Sequence, residues 1–167
     1  VSMSDRNLDL AQKIIDLALS LGAESADAVV GESASLNVSC RLGQLEDTER
    51  SENRELGLRA IIGQQQAFVS GTAVDADSLV RLAERAVEMA KATPADRYCG
   101  LAPADRLAGD LPALDLADTH EPSAADLQRM AQETEDTARA MAGITNSEGA
   151  GAAWGRGTTA LVTSHGF

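Results

Sequence analysis

Apolar residues recur at spacings of three and four near the start of the chain, at Leu8, Ala11, Ile15, Ala18 and Leu21. That period puts them on one face of a helix. Ser4 or Asp5 can cap its start, and Gly22 is placed to end it. Residues 26–30 then form a short apolar run. Leu36, Val38, Cys40 and Leu42 alternate with polar residues, as a half-buried strand does. Gly43-Gln44 is a turn signal, and residues 45–53 are strongly polar. Leu56, Leu58, Ala60 and Ile62 alternate again, Gly63-Gln64 turns the chain, and residues 67–70 return. These segments predict a meander of antiparallel strands with one dry and one wet face.

A second helix is predicted from the stripe Leu79, Leu82, Ala83, Ala86, Val87 and Ala90. Asp75, Asp77 or Ser78 can cap it, and Thr93-Pro94 stops it. All four prolines then fall within residues 93–123, a stretch rich in Ala, Asp and Leu with no sustained period. It reads as an extended surface connection, unusually long for a loop inside a compact domain, which hints at a functional or interface role. A third helix begins at Ser123, where Ser123-Ala124-Ala125-Asp126 fits a capping box. Leu127, Met130, Ala131, Thr134, Ala138 and Met141 line its face, and Gly143 ends it. Residues 144–154 and 158–164 read as two further strands forming a last hairpin. Strands and helices segregate, so the expectation is α+β: a mainly antiparallel sheet with about three helices packed on it. A strand reading that ends just before Phe167 leaves the sheet wanting a neighbour.

The 167 residues fit one domain, with 44% apolar and 24% charged residues, as in an ordinary soluble protein. Two Phe, one Tyr and one Trp leave no stacking platform for single-stranded nucleic acid. The formal net charge of −12 disfavours phosphate backbones and anionic membrane surfaces alike. No apolar run approaches the roughly 20 residues of a membrane helix. The first residues carry no apolar signal-peptide core, and there are only two cysteines. A reducing cytoplasm is therefore expected, and the Asn37-Val38-Ser39 sequon counts as noise.

Candidate chemistry is sparse. His120-Glu121 starts a zinc-protease pattern, but position 124 is Ala and Pro122 follows the Glu, so the motif fails and His120 is expected in an exposed loop. Ser164-His165 is adjacent in sequence, which is not how a catalytic dyad assembles. Cys40 is expected to be a small buried hydrophobe. Cys99 beside Tyr98 has only Arg97 as a neighbouring cation, so its reactivity has little support. Gly149-x-Gly151 lacks the third glycine of a dinucleotide fingerprint, since position 154 is Trp. Glu46, Asp47, Glu49, Glu52 and Glu55, with Arg50 and Arg54 among them, form a charged ribbon. It is read as a solvated strand pair with cross-strand ion pairs, the alternative being an acidic rim for peptide segments. The residues themselves assign no catalytic, cofactor-binding or metal-ligating position.

Several stretches together resemble the TldD/PmbA family, linked to modulation of DNA gyrase. Ser39-Cys40-Arg41-Leu42-Gly43-Gln44-Leu45-Glu46-Asp47 resembles its strand-turn segment, and Leu56-Gly57-Leu58-Arg59-Ala60 the strand after it. Asp96-Arg97-Tyr98-Cys99-Gly100-Leu101-Ala102 is similar to its segment after the second helix. Ile144-Thr145-Asn146-Ser147-Glu148-Gly149, then Thr163-Ser164-His165-Gly166-Phe167, are the strongest matches, and the first is closer to the PmbA/TldE branch. The resemblance implies the N-terminal part of a PmbA/TldE-like subunit, spanning residues 1–167, with a C-terminal domain not included. It implies a cytoplasmic metalloprotease complex that processes unfolded peptides, with zinc held by a TldD-like partner and none in this chain. This chain would then serve assembly and substrate access without being catalytic alone. Expected partners are a TldD-like subunit or a second copy, and unfolded peptides, with no nucleic acid and no membrane. The alternative is a non-enzymatic protein-binding modulator of gyrase control.

Overall fold

The computed structural model describes residues 3–109 and 112–166. Among them run α1 (Met3–Ser20), β1 (Ser25–Arg41), β2 (Gln44–Ile62), β3 (Gln65–Gly71), α2 (Ala76–Ala92), α3 (Ala124–Arg139) and β4 (Ala150–Thr163). The strands form one sheet in the order β3-β2-β1-β4. The described residues are thus α+β, with three helices and an antiparallel sheet, as the patterning predicts.

Four features differ from the pattern. The segments expected as separate strands at 26–30 and 36–42 are one strand, β1, because nothing in Gly31-Glu32-Ser33-Ala34-Ser35 blocks the ladder. The polar stretch 45–53 is likewise strand, the first half of β2. The expected last hairpin is absent: β4 runs through Gly155 and Gly157 without turning. The first turn also sits one residue earlier than expected. Leu42 (φ 51°) and Gly43 (φ 76°) are both left-handed, as a two-residue hairpin turn requires. Leu42 therefore leaves the dry face and is 48% exposed.

The chain divides into two units. The first comprises Val1–Glu32, Arg54–Pro112 and Thr158–Phe167. Its core joins Ile14 and Ile15 of α1, Leu56 and Leu58 of β2, and Leu79 and Val87 of α2. Each such side chain removed from water contributes about 1.5–3 kcal/mol. Ala11, Ala18, Ala83, Ala86 and Ala90 complete the helix faces, and these small residues let the backbones approach closely. Leu8 is not in the stripe; it is half exposed, and Ile14 occupies the inner position. α1 is already under way at Met3, so Asp5 lies inside its first turn, where its charge suits the helix dipole. Gly22 (φ 107°) ends the helix, with the Ala23 N–H closing on the Ala18 carbonyl at 3.0 Å. Asp75 caps α2 by accepting from the Ser78 N–H at 3.0 Å. Thr93 closes that helix, its hydroxyl donating to the Ala90 carbonyl at 2.8 Å. The connection after α2 contains one 3₁₀ turn, Ala104–Arg106, and is tied to the β2–β3 turn by the Asp96 N–H on the Gln64 carbonyl (2.7 Å).

The second unit comprises Ser33–Asn53 and Ala113–Gly157. Leu36, Val38 and Cys40 of β1 pack on Leu127 and Ala131 of α3, with Ala152 and Trp154 of β4 alongside. The predicted capping box at Ser123 and Asp126 is formed. The buried stripe of α3 is narrower than its sequence suggests. Met130 and Met141 are exposed, at 50% and 67%, and Thr134 and Ala138 also face outward. The third buried position is Glu135. The helix stops at Arg139, before Gly143.

Candidate functional site

Two features of the second unit stand out. One is a clasp around the β1–β2 turn. Leu42 and Gly43 direct their N–H groups at the two carboxylate oxygens of Glu135, at 2.7 and 2.8 Å. Two adjacent left-handed residues aim successive N–H groups to one side, and such a concavity suits an anion. The Gly43 N–H, the Ser147 hydroxyl and the Leu42 N–H, in that order of weight, hold the Glu135 carboxyl below its ordinary range. Ser147 also accepts from the Gly149 N–H at 2.9 Å, and its carbonyl accepts from Arg41 Nε at 3.4 Å. The stretch Thr145-Asn146-Ser147-Glu148-Gly149 thus fastens the hairpin tip to α3 and to the start of β4. Within the clasp only Glu135 is buried, and both its carboxylate oxygens are taken by backbone N–H groups.

The other feature is a cleft of about 560 Å³ along residues 153–157 of β4. Its far walls are Leu127 and Met130 of α3 and the stretch from Leu116 to Pro122. Trp154 donates from its indole N–H to the His120 carbonyl at 3.2 Å, and the Arg156 guanidinium lies 5.8 Å from the Trp154 ring centroid. That separation permits a cation–π attraction.

The other candidates fall as follows. His120 is in an exposed loop, as expected, and contributes its backbone carbonyl. His165 lies in an exposed turn after β4, and Ser164 uses its hydroxyl to accept from the Ala26 N–H at 3.1 Å. Of the Thr163–Phe167 stretch, Phe167 lies outside the described residues. Gly149-x-Gly151 opens a strand, so it is no phosphate loop. Arg54 of the charged ribbon does form a cross-strand ion pair, with Glu32 on β1. Arg50 instead pairs with Glu52 and Glu121 at 2.8 Å each. Cys40 is fully buried, and burial first, the Glu135 charge second, pushes its thiol up. Cys99 is half-buried, and the chain brings it near Arg59 of β2, a cation its sequence neighbours do not reveal. Arg59 is itself committed to Asp27 through a bidentate contact. A disulfide reagent is therefore expected to titrate one thiol in the native chain and a second only in urea. Two fast thiols would contradict the burial of Cys40. Among the described residues no three His, Cys, Asp or Glu side chains converge as a metal would require. Glu135 is the residue the sequence reading missed. Its signal was the spacing of four in Leu127, Ala131 and Glu135, which a purely apolar search discards.

Residues 26–90 match the family model described as PmbA/TldA metallopeptidase domain 1. A metalloprotease PmbA homolog from Haemophilus influenzae is 31% identical over 156 residues, which is 92% of this chain and 34% of the relative. A solved modulator of DNA gyrase from Bacteroides thetaiotaomicron superposes with a TM-score of 0.84 at 20% identity, covering 99% of this chain and 38% of its own. TldE from Thermococcus kodakarensis gives 0.78 at 15%, covering 94% and 35%. The two structures share the fold. The chain spans about a third of the length of the relative it matches. The family model and the relative agree: the chain belongs to the PmbA/TldD family, as a PmbA/TldE-like N-terminal part.

Proposed function

We propose that this chain is the N-terminal domain, over residues 1–167, of a PmbA/TldE-like subunit in a cytoplasmic TldD/TldE-type metalloprotease complex. Its work there is assembly and admission of unfolded peptide, while zinc and catalysis belong to a TldD-like partner. One observation carries this: a relative named as a metalloprotease PmbA homolog aligns over 92% of the chain. The test is purification of the 167-residue chain alone and with a TldD-like protein. Alone, it is expected to hold no stoichiometric zinc and to leave an unfolded peptide intact. With the partner it is expected to co-elute, and the mixture to cleave the peptide. Zinc-dependent cleavage by the chain alone defeats the proposal.

A second reading, a non-enzymatic modulator of gyrase control, draws on the name of the Bacteroides structure. Co-elution with gyrase or an antitoxin, without proteolysis, favours it.

A further inference from the structure

We draw no further inference here: the strongest candidate, the half-buried Cys99 thiol in the connection after α2, lies near Arg59 of β2 but is a lone cysteine, and nothing in the structure beside it points to a ligand or a modifying group.

Discussion

Gly149→Ala is expected to destabilise the chain by roughly 2–4 kcal/mol, combining a strained backbone with a steric clash. Gly149 has φ +108°, where a residue with a side chain is rarely found. A methyl group there would sit 2.7 Å from the Cys40 carbonyl oxygen and 3.6 Å from Arg41 Cβ. The obstacle is backbone inside the β1–β4 region of the second unit, so no side-chain rotation relieves it. Gly57 makes the comparison. A methyl group there would also lie 2.7 Å from an atom, but that atom is Cζ of Phe68. Phe68 is 62% exposed and can swing outward, so Gly57→Ala should lose well under half as much. Urea unfolding of the three proteins decides it. If Gly149→Ala unfolds at the wild-type midpoint, β4 does not enter the sheet where the structure places it.

That contrast also shows what a sequence can and cannot convey here. The α2 stripe was legible because burial and period agree, and Asp75 is the one of its three cap candidates that caps it. So was the capping box at Ser123. β2 was legible only from Leu56 onward. Its first half has every residue exposed but Ser51, and is strand because the turn at Leu42-Gly43 delivers it beside β1. No apolar alternation exists there to read. The expected last hairpin failed for a related reason. Glycines at 155 and 157 look like turn residues, but in β4 they sit in an extended border strand, which glycine permits. The T-N-S-E-G stretch was legible as a family resemblance and not as physics. Its serine and glycine matter through Glu135, Cys40 and the hairpin turn, all distant in sequence. The cleft was hidden for the same reason, since Trp154, Met130 and Leu116 meet only after α3 and β4 are in place.

Removing the Glu135 carboxylate is expected to loosen the hairpin tip and to erase a defined part of the acid dependence of stability. A carboxylate held by N–H and O–H donors is favoured over its protonated form, and here it is the folded state that supplies those donors. Its folded pKa therefore lies below its ordinary value of 4.5. The sign follows: Glu135 binds its proton more readily unfolded than folded, so its contribution is fully present above pH 4.5 and is lost as pH falls through the lowered folded value. Glu135→Ala leaves the N–H groups of the left-handed Leu42 and Gly43 without acceptors, and is expected to lower the melting temperature by about 4–8 °C at neutral pH. Glu135→Gln keeps one acceptor oxygen and should fall between. Asp75 and Asp126 are also held low, by Ser78 and Ser123, so wild type and variant share their acid slope. The difference between wild type and Glu135→Gln isolates the clasp. It should be constant from about pH 7 to 5 and shrink below, as the wild type loses its anion. Amide exchange at Leu42 and Gly43 should quicken in both variants while the α2 amides, in the other unit, keep their protection. Parallel melting curves down to acid pH would mean that Glu135 enters the fold uncharged. The turn would then owe its left-handed Leu42 to the β1–β2 ladder alone.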